Sequence, residues 1–207
     1  MGYLFRFATV LFLFAWLAAI TIAQSASSAS NPSNVTPETA FVSPLKYTNA
    51  FFGFSLPLPQ GAPLRELSIP SRDPSSHFLF GVKALSHGLT AMTVMADKSD
   101  NASADEARKA ASGPKGLSVK RIEIGGREFW KSESQEKGPG GKVRSVYFAA
   151  ALNGYVLRFN IDSFDTKLTD ELQHSIEGIT FFDPSRAAEV AGPGSRVYIP
   201  AASHSAQ

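Results

Sequence analysis

The chain of 207 residues contains no cysteine. This absence excludes disulfide scaffolds, zinc and iron–sulfur sites built on thiolates, and cysteine nucleophiles. A strong charge of one sign is also missing, because 20 lysine and arginine residues are balanced by 18 acidic residues and the two signs alternate along the chain. A nucleic-acid partner, which needs a basic stripe, is therefore not expected.

Motifs for metal binding and catalysis are missing as well. The histidines His77, His87, His174 and His204 are not spaced as metal ligands, and the chain has no phosphate-binding glycine loop and no nucleophile elbow. We therefore predict no metal and no cofactor. An enzymatic activity would have to use carboxylates that no motif identifies.

The N-terminus has the layout of a targeting segment. Residues 7–23 are almost wholly apolar, with Arg6 ahead of them and the small residues Thr21 and Ala23 at their end. This pattern predicts a secretory signal peptide over residues 1–23 and a protein exported to the periplasm or the extracellular space. The alternative is an uncleaved anchor, because the apolar run reaches the lower limit of about 17 residues for a membrane-spanning helix.

The rest of the chain divides by composition into three parts. Residues 24–40 are rich in Ser, Ala, Asn, Pro and Thr, which predicts a flexible linker. Residues 185–207 are rich in Ala, Gly, Ser and Pro, which predicts a disordered tail. Residues 41–184 remain as one folded domain of ordinary size.

Runs of strands with few helices characterise this domain. Residues 46–58, 78–85 and 89–96 read as strands. Ser103 and Glu106 form a capping box that opens an alanine-rich helix, whose small side chains predict a close approach to a neighbouring surface. Residues 165–177 carry the apolar stripe of a second helix, with Asp165 or Thr166 as its N-cap. We therefore predict an α+β fold with an antiparallel sheet of about six to eight strands flanked by two or three helices.

The dipeptide Asn153-Gly154 is a strong signal for a two-residue hairpin turn. The register that it predicts leaves one face of the hairpin apolar, because Phe148 then lies opposite Phe159. The other face is polar and aromatic, and we predict that it binds a partner through Tyr147, Arg158, Asn160 and Asp162, joined by Trp130. The alternative is that Arg158 only pairs with a neighbouring carboxylate beneath a helix.

Gly125-Gly126 predicts a second hairpin, in which Arg121 lies opposite Trp130 and Glu123 lies opposite Glu128. Like charges directly opposite each other are unfavourable. Either the register differs or the two carboxylates splay into solvent. A glycosidase-like acid–base pair would also bring two carboxylates together, but it would need a substrate cleft around them.

Structural motifs frame the domain at both ends: an opening strand that ends in prolines, a late hairpin, and a last helix followed by a strand. Their residues are Tyr47-Thr48-Asn49, Phe52-Gly53-Phe54-Ser55-Leu56-Pro57 with Pro59, Asn153-Gly154-Tyr155-Val156-Leu157-Arg158-Phe159 and Ile176-Glu177-Gly178-Ile179-Thr180-Phe181. These motifs resemble those of the PsbP-like and DcrB-like superfamily, which shares its fold with a small Ran-binding nuclear import factor. This chain departs from the usual family pattern at Gln60-Gly61-Ala62, where a Gly-Trp pair is common. The resemblance implies an α/β/α sandwich in proteins that bind or stabilise a protein partner without catalysis.

Together these observations predict an exported, non-enzymatic binding or accessory module with a protein partner in the cell envelope or outside the cell. Contact with a membrane is expected only through residues 1–23, if they are not cleaved. Two alternatives stay open: a secreted hydrolase that uses unrecognised carboxylates, and a purely structural envelope protein.

Overall fold

The computed structural model describes residues 35–70, 73–85, 88–138, 141–198 and 200. The predicted signal peptide and most of the predicted linker lie outside the described residues. Within the described ranges, no helix is both long and apolar enough to cross a membrane.

The larger of the two sheets in the described residues has seven antiparallel strands. Along Thr90–Lys98, one of its central strands, buried and half-buried residues alternate, because successive side chains of a strand point to opposite faces of the sheet. In spatial order the strands are β4 (Arg65–Glu66), β5 (Ser76–Ala84), β6 (Thr90–Lys98), β10 (Tyr155–Ser163), β9 (Gly141–Leu152), β8 (Arg127–Gly138) and β7 (Lys120–Ile124).

A second antiparallel sheet packs against the first, and the sequence did not predict it as a separate sheet. Residues 46–58, predicted as one strand, form two strands because the Asn49 carboxamide oxygen accepts hydrogen bonds from the backbone N–H groups of Phe51 and Phe52, at 3.0 and 2.7 Å. In spatial order this five-stranded sheet contains β11 (Thr180–Phe181), β3 (Phe54–Pro57), β2 (Lys46–Asn49), β1 (Ala40–Ser43) and β12 (Arg196–Tyr198).

The core lies between the two sheets and is closed at one side by helix α2 (Thr166–Glu177). Two further helices, α1 (Ala104–Ala111) and α3 (Ala187–Ala191), occur in the described residues. The predicted α+β class is thus confirmed, with two antiparallel sheets in place of the one that the sequence predicted. The largest side chains that are fully buried in the core are mainly aromatic: Tyr47, Phe54, Phe80, Phe129, Phe148 and Phe159.

Both predicted hairpin registers are confirmed. Phe159 lies opposite Phe148 and Asn160 opposite Tyr147 in the hairpin of β9 and β10. In the hairpin of β7 and β8, Glu123 does lie opposite Glu128. The register tolerates this pair because the Glu128 carboxylate is drawn to Arg121, whose Nε lies 2.5 Å from Glu128 Oε2.

The helix N-termini also follow the sequence signals. The Ser103 hydroxyl accepts a hydrogen bond from the Glu106 N–H at 3.3 Å, and the Asp165 carboxylate accepts one from the Leu168 N–H at 3.0 Å. The Glu106 side chain does not close the capping box, because its carboxylate instead accepts a hydrogen bond of 2.6 Å from the hydroxyl of Ser99.

The C-terminal segment differs from the prediction of a tail that is disordered from residue 185. A 3₁₀ helix over Pro184–Arg186 leads into α3, and β12 pairs with β1. The reason is Tyr198, only 4% exposed, whose ring packs against the rings of Tyr47 and Phe80 with centroid distances of 6.0 and 5.6 Å. Burial also raises the pKa of the Tyr198 phenol to about 12. The folded unit therefore extends at least to Tyr198.

The N-terminal boundary is tied down by side chains of the domain. Strand β1 begins at Ala40, and the Asn49 amide donates a hydrogen bond to the Pro37 carbonyl at 2.8 Å. His77 Nδ1 lies 2.5 Å from Glu38 Oε1. Burial raises the pKa of Glu38, but the hydrogen bonds from His77, from its own backbone and from Thr36 together hold this pKa below its ordinary value.

Replacing Tyr198 with alanine should destabilise the fold by about 3 kcal/mol, because truncating a buried aromatic side chain loses apolar burial and leaves a cavity. The adjacent Val197 is 61% exposed and provides the matched control, since Val197→Ala should change little. Urea denaturation measures the free energy of unfolding of both variants. Equal stabilities of the Tyr198 variant and the wild type would mean that the C-terminal strand contributes nothing to the core.

Replacing Glu38 with glutamine should make folding less sensitive to acid. Because the pKa of Glu38 is lowered in the folded state, its carboxylate stabilises the fold above the unfolded-state pKa, and this contribution disappears as the pH falls through the folded-state pKa. The free energy of unfolding between about pH 7 and about pH 3 should therefore fall less in E38Q than in the wild type. The same fall in both proteins would contradict this role.

Candidate functional site

The outer face of the seven-stranded sheet, which points away from the core, is partly covered by α1. Ala107 and Ala111 on this helix are buried against Ala149 and Val156 of the sheet. Small side chains on both surfaces let the helix approach the sheet closely, as the alanine-rich sequence predicts. The helix covers only part of the face, so the sheet beside it remains accessible.

A groove of about 750 Å³ lies where α1 meets the accessible part of β6, β9 and β10. We call it the helix–sheet groove. Alternation along β10 directs Val156, Arg158 and Asn160 toward it, while Leu157 and Phe159 point into the core. Its lining residues are Asp97, Ser99, Glu106, Lys109, Ala110, Gly113, Pro114, Tyr147, Val156, Arg158 and Asn160.

Arg158 is held in place by Asp97 on the neighbouring strand. Its Nη2 donates a hydrogen bond to Asp97 Oδ1 at 3.1 Å. Its Nε lies 2.5 Å from Asp97 Oδ2, and this second contact is an ion pair without the geometry of a hydrogen bond. The hydroxyl of Ser76 donates to the same Asp97 Oδ1 at 2.7 Å. Arg158 and Asp97 are 32% and 33% exposed, so solvent still reaches the pair.

Tyr147 and Asn160 lie opposite each other on β9 and β10. Neither side chain makes a hydrogen bond to another residue in the described part of the chain, so the hydroxyl and the amide are available to a ligand. The ring of Tyr147 is positioned by Gly113, where a Cβ would lie 3.2 Å from Tyr147 Cε2. Gly113 also has a φ of +64°, which favours glycine.

The structure thus brings together three of the five predicted site residues. Asp162 lies on the same face as Arg158 and Asn160 but outside the groove, where its carboxylate accepts a hydrogen bond of 2.6 Å from the hydroxyl of Ser145. Trp130 packs against the alanines under α1 and does not line the groove. Its position beneath the helix indicates a packing role.

The groove residues that β6 and α1 supply, notably Asp97, Glu106 and Lys109, were not predicted from the sequence. No local signal places β6 beside β10, because the two strands are about sixty residues apart in sequence. The alanine face of α1 predicts a close approach to some surface, but it does not identify the strands on which the helix rests.

The groove contains two basic and two acidic side chains, and its charges balance. Asp97 is engaged by Arg158, and Glu106 by Ser99. No cluster of three metal-ligating side chains occurs among the described residues. The arrangement can bind a ligand by hydrogen bonds to Tyr147 and Asn160 and by contact with Val156 and Ala110.

No protein-family model matches the chain, and no curated protein matches it in sequence. Several solved structures are similar to it, and they include the following three. LpqN, involved in cell envelope biogenesis of Mycobacterium tuberculosis, is 20% identical, with 61% of this chain and 82% of that chain covered and a TM-score of 0.44. A protein from Bacteroides thetaiotaomicron is 13% identical, with 71% of this chain and 49% of that chain covered and a TM-score of 0.41.

The third similar structure is the cyanobacterial PsbP (CyanoP) from Synechocystis sp. PCC 6803. It is 8% identical, with 73% of this chain and 100% of that chain covered and a TM-score of 0.48. At such identities the similarity concerns the fold alone. A PsbP protein, from the family that the sequence motifs resemble, is thus among the solved structures similar to this chain.

Proposed function

We propose that this chain is an exported, non-enzymatic binding module that acts in the cell envelope or outside the cell and holds a protein partner in its helix–sheet groove. The observation that carries the proposal is the pair formed by Tyr147 and Asn160. Both residues offer polar groups without partners in the described structure, beside an arginine whose position is fixed.

The rigidity of the groove supports binding. Its floor consists of three central strands of a seven-stranded sheet, and Asp97 fixes the Arg158 side chain before any ligand arrives. A rigid surface loses little conformational entropy on binding, and aromatic and arginine side chains are enriched at the energetic centres of protein interfaces.

The balanced charge of the groove favours an uncharged or mixed-charge segment of a protein over a strongly ionic ligand. Lys109 and Arg158 are offset by Asp97 and Glu106, so a ligand of either charge gains little net Coulomb attraction. An extended segment can instead exchange hydrogen bonds with Asn160 and Tyr147 while its apolar side chains contact Val156.

A photo-crosslinking amino acid at position 160 should trap the partner in the native envelope of the source cells. The matched control is position 173, because Gln173 is also a half-buried amide but lies on α2, beyond the opposite face of the sheet. We expect a discrete crosslinked product from position 160 and none from position 173. The same products from both positions, or none from position 160, would contradict the proposal.

Alanine replacement separates binding from stability in the same assay. With the crosslinker placed at Lys109 on the rim of the groove, Asn160→Ala should reduce the yield about five- to tenfold, as expected for the loss of one or two hydrogen bonds. Its melting temperature should not change. A lower melting temperature with an undiminished crosslink would assign Asn160 to the fold alone.

A further inference from the structure

The strand β7 ends the seven-stranded sheet with an edge that pairs with no other strand. Four strands lie at sheet edges in the described residues, and β7 is the longest, with five residues against two in β4, two in β11 and three in β12. Helix α1 packs mainly on β8, β9 and β10, and three of the five residues of β7 are exposed. An open edge of this length is a template for pairing with another strand.

The geometry of the hairpin determines which backbone groups point outward from this edge. The turn at Gly125-Gly126 has two residues, so the residues on either side of it form a hydrogen-bonded pair. Such pairs alternate along an antiparallel ladder, so Ile122 also directs its N–H and C=O to β8. The N–H and C=O groups of Arg121 and Glu123 therefore face outward. No other element in the described residues forms a hydrogen bond with them.

The side chains on the outer face of this edge leave one carboxylate without a cation. Arg121 forms an ion pair with Glu128 on β8. Glu123 lies directly opposite Glu128 and has no ion-pair partner among the described residues. The single chain thus provides one arginine for two neighbouring carboxylates, and the repulsion between these carboxylates is only partly offset.

The other charged groups near this edge are placed where they do not pair with Glu123. Those of the hairpin lie on the opposite face of the sheet, because side chains alternate along a strand, and those at the start of α1 pair with each other. They are Lys120, Arg127 above the ring of Phe181 and Lys131 paired with Glu177 on the sheet, and Asp105 paired with Arg108 on the helix.

A second copy of β7 is complementary to this edge. Because the outward groups belong to residues 121 and 123, two copies pair antiparallel only with odd-numbered residues opposite odd-numbered ones. The register with Ile122 opposite Ile122 pairs all five residues of each strand, whereas the next permitted register in either direction pairs only three. It places Arg121 opposite Glu123 of the other copy, twice. The shifted registers instead place Arg121 opposite Arg121, or Glu123 opposite Glu123.

We propose that two copies of this chain associate through β7 into a two-fold symmetric dimer in which their seven-stranded sheets become continuous. The symmetry axis passes between the two copies of Ile122, whose half-buried side chains then contact each other. Each Glu123 gains the Arg121 of the other copy as the cation that it lacks in the single chain. The helix–sheet groove lies on β6, β9 and β10 and stays open, so this inference is independent of the ligand of the groove.

The charges favour a second copy over another protein as the occupant. A strand with charges of a single sign would repel its own copy in every register, which is one way in which edge strands avoid association. On β7 the two residues that face each other across the dimer have opposite signs instead. One pair of five-residue strands is smaller than the standard interface of about 1,600 Å², so we expect a transient dimer that must be trapped to be measured.

The absence of native cysteine allows the dimer to be trapped with single-cysteine variants of the full chain. The proposed register places the two copies of residue 122 directly opposite each other, with Cα atoms about 4.5 Å apart. In Ile122→Cys this distance permits a disulfide, which needs Cα atoms within about 7 Å. The matched control is Lys120→Cys, on the same strand and the same face and more exposed.

Residue 120 cannot form this disulfide, because its two copies are offset by four residues, about 13 Å along the strand. Both variants carry the same residues 1–23, so association through that segment affects both alike. Under a mild oxidant we expect a disulfide-linked dimer from Ile122→Cys and almost none from Lys120→Cys.

Charge reversal tests the register. Adding Arg121→Glu or Glu123→Arg to Ile122→Cys should each lower the rate of disulfide formation about tenfold, because like charges then face each other at two places. A mixture of the two charge variants should restore the rate, since opposite charges again face each other in the mixed dimer. Tags of different mass identify that product on a non-reducing gel. A variant that failed to fold would not recover on mixing.

Equal disulfide yields at positions 122 and 120 would show random collision and overturn the proposal. So would charge variants that crosslink as fast as Ile122→Cys alone, or a mixture that reacts as slowly as its two components. A photo-crosslinking amino acid at position 122 in the native envelope should give a product of two copies of the chain. Capture of a different protein in place of a second copy would identify that protein as the occupant and contradict the dimer.

Discussion

The pairing of β9 with β10 is the constraint on which both the core and the candidate site depend. Because side chains alternate along a strand, the register set at Asn153-Gly154 sends Phe148 and Phe159 into the core and leaves Tyr147 and Asn160 on the outer face. A shift of one residue would place Arg158 in the core and Phe159 in the groove. The burial of the aromatic core therefore also fixes the geometry of the groove.

Two layers cover the central sheet unequally, and this inequality creates the groove. The five-stranded sheet and α2 bury one face completely enough to hold the fold without disulfides. On the other face, α1 is short and presents alanines, so it lies close over Ala149 and Val156 but leaves Arg158 and Asn160 uncovered. A longer helix with larger apolar residues would have covered the whole face.

Features set by neighbouring residues could be predicted from the sequence. Turn chemistry predicts both hairpin registers, and helix capping preferences predict the N-caps Ser103 and Asp165. The alternation of side chains along β9 and β10 then predicts three residues of the groove. Features set by distant residues could not. Asp97 reaches Arg158 because β6 lies beside β10, and Tyr198 anchors a segment of tail-like composition because its ring fits against Tyr47 and Phe80. The energy of such contacts depends on the assembled core, which local patterns do not encode.

Nuclear magnetic resonance of the side-chain amides in the isotope-labelled protein tests most directly whether the outer face of this hairpin receives a partner. Asn160 and the buried Asn49, whose amide donates to the Pro37 carbonyl, report on the groove and on the interior of the same molecule. On addition of the solubilised envelope fraction, we expect the Asn160 amide signals to shift and those of Asn49 to stay unchanged. Unchanged Asn160 signals together with shifts on α2, at Gln173, would contradict it.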